Sequence, residues 1–173
     1  LVLPWEEPSA HFGGHYNLIG PRPLFFSKVR PAGRPWTEQD PAFGKVYHTG
    51  SAEDVQQFLE AENAFWYTAH PRTKSSAGYP DAYQDKFFAR SDHFLGIAFK
   101  PGMGMDLSEL RLAEGRTFDA IDRLNNRYAG SGLRPKYLIG DADTYQKWPH
   151  DDLFPGFTVN YLQLERVPGP DED

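Results

Sequence analysis

Short apolar runs, each stopped by a polar residue or a proline, constrain this chain more than any other feature. Phe65-Trp66-Tyr67-Thr68-Ala69 ends in His70-Pro71, Phe94 to Phe99 stands between polar stretches, and Lys136-Tyr137-Leu138-Ile139-Gly140 runs into Asp141-Ala142-Asp143. Runs this short and this continuous predict strands covered on both faces. Between them lie segments with helical spacing. From Ser51, which is placed to cap with Asp54 three residues on, Val55, Phe58 and Leu59 form one apolar face that ends near Asn63. Pro80 suits the first turn of a helix through Arg90, with Tyr83, Phe87 and Phe88 facing inward. Glu114 to Tyr128 carries Phe118, Ile121 and Leu124 on one side, and Gly130 is the stop signal. Strands alternating with helices predict an α/β fold with mainly parallel strands. Residues 1–4 and 16–19 read as two further strands and 157–164 as a last one, antiparallel or at an edge. The stretch 21–45 holds Pro21, Pro23, Pro31, Pro35 and Pro41 and reads as an irregular excursion, closed by a short extended piece at Tyr47-His48.

A chain of 173 residues fits one domain with a core of useful size. The expected division is a domain over residues 1–167 and an acidic tail over 168–173, where Asp171-Glu172-Asp173 repel one another and stay hydrated. A net charge of −6 and the lack of any long basic patch argue against a nucleic-acid partner. No run approaches the ~20 apolar residues of a spanning helix, so no membrane partner is expected. With no cysteine there is neither a disulfide nor a thiolate metal site.

Where strands end, α/β folds place their sites. Glu6-Glu7 follow the first apolar run, and His11-Phe12-Gly13-Gly14-His15 leads into the second. Imidazoles and carboxylates together suit a hard or borderline divalent cation. Only one of two neighbouring glutamates on a strand can face a given site. The same segment also reads as a polar turn with surface histidines. His70 is either a satisfied core histidine or a ligand at the strand-end rim. Arg72-Thr73-Lys74-Ser75-Ser76 is either a solvated loop or a cradle for a substrate anion. Asp141 and Asp143 either hold a cation or cap a short turn. His48, His93 and His150 sit in weaker settings, with surface or supporting roles. No Gly-x-Ser-x-Gly elbow, Walker loop or cysteine nucleophile is present, and the aromatic residues default to core packing.

Taken in order, Pro4-Trp5-Glu6-Glu7, His11-Phe12-Gly13-Gly14-His15, Ala69-His70-Pro71-Arg72-Thr73-Lys74, Gly78-Tyr79-Pro80-Asp81 and Gly140-Asp141-Ala142-Asp143 resemble the PHP (polymerase and histidinol phosphatase) superfamily, and more narrowly its metal-dependent phosphoesterases. The resemblance runs from the first residue to about Leu164. It implies a portion of a distorted (β/α)7 barrel with divalent metals at its C-terminal rim. By position, Glu7 resembles the bridging glutamate, His15 the histidine that follows it, and His70 the histidine of the later His-Pro motif. Asp141 and Asp143 fall on the family's Asp-x-His, with an aspartate in the second place. The family's opening His-x-His pair has no counterpart here, so the chain is read as the C-terminal portion of such a domain.

The resulting expectation is a metal-dependent hydrolase, a phosphoesterase when complete. Glu7, His15, His70, Asp141 and Asp143 would hold Zn, Mn or Fe, Arg72 and Lys74 would steady a small anionic phosphoester, and His11 would be a ligand or proton shuttle. Exposed strand edges imply association with a missing N-terminal segment or with a second copy. The competing expectation is a non-catalytic binding or interaction domain that has lost its full metal cluster. A third reading keeps the metal but cleaves an amide or carbamate.

Overall fold

A computed structural model describes residues 5–72, 80–99, 117–141, 160, 161, 163–166 and 169. In chain order the strands are β1 (Trp5–Glu6), β2 (Tyr16–Ile19), β3 (Phe25–Ser27), β4 (Thr37–Asp40), β5 (Gly44–His48), β6 (Phe65–Thr68), β7 (Phe94–Phe99) and β8 (Tyr137–Gly140). The helices are α1 (Ala52–Ala61) and α2 (Asp119–Tyr128), with a single 3-10 turn at Phe88–Arg90. Five strands form the main sheet in the order β1-β2-β6-β7-β8, and three form a smaller one in the order β3-β5-β4.

The main sheet is a mixed α/β sheet in which most strands share one direction. β6, β7 and β8 are parallel, while β2 runs against both β1 and β6. β1 therefore points the same way as β6, β7 and β8, and only β2 is reversed. Among the described residues the sheet does not close into a barrel, so the barrel expected from the family resemblance is not seen. It is nevertheless strongly curled. Asn17 on β2 and Asp141 just beyond β8 lie three strand spacings apart, about 14 Å on a flat sheet. Their side chains still meet at 2.9 Å.

The core lies on the other face. Tyr16, Leu18 and Trp66 point there from β2 and β6, which pair Tyr16 with Thr68 and Leu18 with Trp66. Trp66 stacks on Phe94 at 4.3 Å and meets Phe12 at 4.6 Å. Helix α1 adds Val55, Phe58 and Leu59, all buried, and Ser51 caps it by accepting from the Asp54 amide at 3.1 Å. Helix α2 adds Ile121, Leu124 and Tyr128. It stops before Gly130, whose φ of +74° suits a residue without Cβ. Gly96 is required by close approach. It has φ +150°, and a Cβ there would lie 2.0 Å from the carbonyl oxygen of Tyr137 on the neighbouring strand.

Several sequence expectations need correction. The stretch 21–45 is not irregular, because it contains β3, β4 and the start of β5. Its prolines fall before β3, between β3 and β4, and in the turn after β4, so none interrupts a hydrogen-bonded ladder. Residues 80–90 form turns and a 3-10 segment rather than a helix, with Tyr83 N–H bonded to Pro80 O and Lys86 N–H to Tyr83 O. Phe88 is buried as expected, but Phe87 is exposed. Phe118 also faces solvent, in a wider turn ahead of α2. Residues 160, 161, 163 and 164 are not in a strand, and the rest of the expected last strand lies outside the described residues, as do residues 1–4 and 114–116. No helix among the described residues is long and apolar enough to cross a membrane.

Candidate metal centre

The directions of the strands fix where the site forms. β1 and β6 end at one rim, and the reversed β2 begins there. Glu7 just after β1, His15 just before β2 and His70 just after β6 therefore share that rim. The Ala69 amide donates to His15 O at 3.0 Å, which draws the two histidine-bearing segments together. The loop between Glu7 and His15 is closed by Tyr16 N–H on Pro8 O, and it is anchored by Phe12, fully buried and stacked on Phe88 at 4.5 Å. Gly13, with φ +90°, lies so close to the Tyr83 ring that a Cβ would meet it at 2.3 Å.

One carboxylate oxygen organises the trio. Glu7 Oε1 lies 2.9 Å from His15 Nδ1 and 3.2 Å from His70 Nε2. The imidazole rings meet edge-on at 5.1 Å. One ligand atom from each of the three residues lies within 4.8 Å of the others. The site has a floor and an opening: the His70 side chain is 2% exposed, whereas those of His15 and Glu7 are 35% and 34% exposed. An acceptor at those nitrogens places the ring protons on His15 Nδ1 and His70 Nε2. His70 Nδ1 is buried and has no hydrogen-bond partner among the described residues. His70 also carries a left-handed φ of +29°. A backbone held there costs about 1–3 kcal/mol and persists where the surroundings over-determine it.

Asp141 stands on the same curled face but not within the trio. Its amide donates to Phe99 O at 3.0 Å and its Oδ2 accepts from Asn17 Nδ2 at 2.9 Å. Tyr67, the β6 partner of Asn17, lies fully buried between. Burial raises the pKa of its phenol first, and the charges of Asp141 and Glu7 raise it further. Tyr67 thus senses both carboxylates and stays a neutral phenol. The sequence reading missed Asn17 and Tyr67. The available signal was a polar amide inside the apolar run Tyr16-Asn17-Leu18-Ile19, on the face opposite the core.

The remaining candidates are placed elsewhere. His11 turns away from the trio, and its Nε2 lies 3.1 Å from both Lys28 O and Thr49 O. Arg72 forks onto Asp81 at 2.8 and 2.9 Å and reaches Asp119 at 2.7 Å. Two carboxylates already occupy its guanidinium, which pins the segment after β6 to the start of α2. Lys74 and Asp143 lie outside the described residues. His48, expected at the surface or in a supporting role, is buried in the smaller sheet. His93 is held by Ala64 O at 2.7 Å, and His150 lies outside the described residues.

Two imidazoles and one carboxylate are a ligand set that zinc uses in hydrolases, with a fourth position left open. The trio fits such a cation in geometry and in donor chemistry. One ligand atom from each residue already converges at one half-open rim, and the mixed nitrogen and oxygen donor set suits a borderline cation. No family model, curated protein or solved structure matches the chain.

Proposed function

We propose that this protein is a divalent-cation-dependent hydrolase whose metal is held by Glu7, His15 and His70. The observation that carries the reading is the convergence of these residues, 63 positions apart at the extremes, on the single oxygen Glu7 Oε1. A bound cation would supply Lewis acidity, polarising a substrate oxygen and bringing the pKa of a water from 15.7 toward about 7. His70, buried, forms the floor and sets the depth of the site. His15 and Glu7, half-exposed, form the wall that substrate passes. Asp141, held by Asn17 and standing beside the neutral Tyr67, supplies a second carboxylate along the same rim.

A phosphoester is the proposed substrate class, on the order of motifs in the sequence, and a PHP-type ancestry is proposed on the same ground. The proposed metal is Zn, Mn or Fe, since nitrogen and oxygen donors together suit all three.

Metal analysis tests the reading. Purified protein should take up close to one equivalent of Zn2+ or Mn2+, and His70→Ala should abolish uptake. Protein that stays metal-free under saturating Zn2+ and Mn2+ would refute the hydrolase and leave the binding-domain reading. Turnover of p-nitrophenyl phosphate, set against a panel of amides, distinguishes a phosphoesterase from an amide- or carbamate-cleaving enzyme.

A further inference from the structure

A second cluster, outside the proposed metal centre, sits on the smaller sheet. Parallel pairing of β3 with β5 puts Ser27 directly beside His48, and antiparallel pairing of β4 with β5 puts Glu38 beside Val46, one step diagonal from His48. Strand alternation then places Phe25, Ser27, Val46, His48 and Glu38 on one face. Phe26 and Tyr47 take the opposite face and pack on Phe58.

Ser27 Oγ lies 2.8 Å from His48 Nδ1, and His48 Nε2 lies 3.2 Å from Glu38 Oε1. In the tautomer with its ring proton on Nε2, His48 turns that proton to the Glu38 carboxylate and keeps a lone pair on Nδ1 toward the serine hydroxyl, and this is the tautomer the relay uses. Arg34 Nη2 donates to the same Glu38 oxygen at 2.6 Å and fixes that carboxylate. Arg34 Nε donates to His48 Nε2 at 3.5 Å in the other tautomer, where the ring proton sits on Nδ1 and faces Ser27 Oγ. Ser27 O accepts from both the amide and the hydroxyl of Thr49 at 2.9 Å, so the serine backbone is pinned. The hydroxyl proton has two acceptors at 2.8 Å, His48 Nδ1 and Val29 O, and rotation from the carbonyl to the imidazole arms the oxygen. Ser27 is half-buried and His48 is 7% exposed, so the imidazole is shielded while the hydroxyl is reachable. Two residues before Ser27 and on the same face, Phe25 is 39% exposed and its ring lies tilted against that of Phe43, 56% exposed, at 5.1 Å.

We propose that Ser27, His48 and Glu38 form a metal-independent nucleophilic relay that takes the acyl group of an ester with an apolar acyl or aryl part, seated on Phe25 and Phe43. The serine oxygen bonds to the ester carbonyl carbon while its proton passes to His48 Nδ1. The carbon–oxygen bond to the alcohol then breaks, and the alcohol leaves with that proton. Water, deprotonated by His48, attacks the acyl-serine carbonyl and releases the acid as the proton returns to Ser27. Glu38 neutralises the imidazolium formed in each half and is a positioning residue, since it acts through His48.

The test uses the full chain treated with chelator, so that it stands apart from the metal site, and a fluorophosphonate ester as probe. Attack by Ser27 forms an oxygen–phosphorus bond and releases fluoride, which intact mass and peptide mapping read directly. The expected result is one adduct on Ser27, absent in Ser27→Ala and unchanged in His70→Ala. In His48→Gln and Glu38→Gln its formation should slow by about tenfold or more. Glu38→Gln keeps a side-chain acceptor at Nε2 and serves if His48→Gln fails to fold. No adduct on folded protein, an adduct on another residue, or labelling of Ser27 at an unchanged rate in Glu38→Gln each overturns the relay. Loss of metal uptake with labelling intact would sink the metal reading alone.

Discussion

Raising the pH from about 7 to about 9.5 should stabilise this protein, and the cause is one lysine. Lys136 begins the segment leading into β8 and is 2% exposed. Its Nζ donates to Ser91 O at 2.8 Å and Phe94 O at 2.9 Å and lies 5.4 Å from the Phe94 ring. Burial is the main force on its pKa, bringing it from 10.5 down to about 8; Asp92 opposes the shift and Arg134 assists it. Between those values the unfolded chain binds a proton that the folded chain has lost, so stability rises with pH across that window. The gap between 10.5 and about 8 corresponds to at most about 3.4 kcal/mol. About 2 kcal/mol of it accrues between about pH 7 and pH 9.5. The buried tyrosines Tyr16, Tyr67 and Tyr128 act in the opposite sense. Their raised folded values mean that unfolded chains lose protons first, above about pH 10, which lies beyond the window. Urea denaturation of the wild type and of Lys136→Met at several pH values isolates the effect. The wild-type curve should climb relative to the variant by about 2 kcal/mol. Parallel curves would show that Lys136 is not desolvated as described.

Four further outcomes follow from particular contacts. Gly96→Ala should unfold the β7–β8 edge, because its methyl would sit on the Tyr137 backbone; a denaturation midpoint within error of wild type would refute that close approach. Ser51→Ala should cost about 1 kcal/mol by removing the cap on the Asp54 amide, measured by thermal or urea unfolding. Arg72 holds the Asp81 carboxyl below its usual range, a contribution present above about pH 4 and lost as pH falls below it. Arg72→Met should therefore flatten the acid limb of the stability curve. Saturating Zn2+ should raise the melting temperature of the wild type and leave His70→Ala unmoved, and EDTA should reverse the gain.

Local chemistry made much of the main sheet legible. Tyr16–Ile19 and Phe94–Phe99 could be read because both are buried apolar runs, and α1 because Ser51 and the spacing of Val55, Phe58 and Leu59 are signals within one segment. The smaller sheet was hidden because nothing near Phe25 or Thr37 announces that each will pair with β5. Its five surrounding prolines also dominate any local reading. Phe87 and Phe118 were misplaced for a related reason, since a 3-10 or widened turn rotates a side chain off the face that a 3.6-residue period assigns. Glu7, His15 and His70 were legible as residue types at the ends of runs. Asn17 and Tyr67 were not, because their face is buried only once the sheet curls. Charged and imidazole side chains look alike in sequence whether they bind or brace, so His11 and Arg72 could not be separated from the trio before their partners were seen. Ser27, Glu38 and His48 required the strand register, which no spacing along the chain encodes.

The bond from His11 has a mechanical consequence. Lys28 and Thr49, whose carbonyls it grips, each come one residue after Ser27 and His48. A single imidazole therefore rivets the loop that presents His15 to the ends of two strands in the other sheet. Strain applied to either sheet is delivered to the other through that rivet, and a chain pruned of residues 21–49 would leave the loop held by its base and by Phe12 against Phe88 alone.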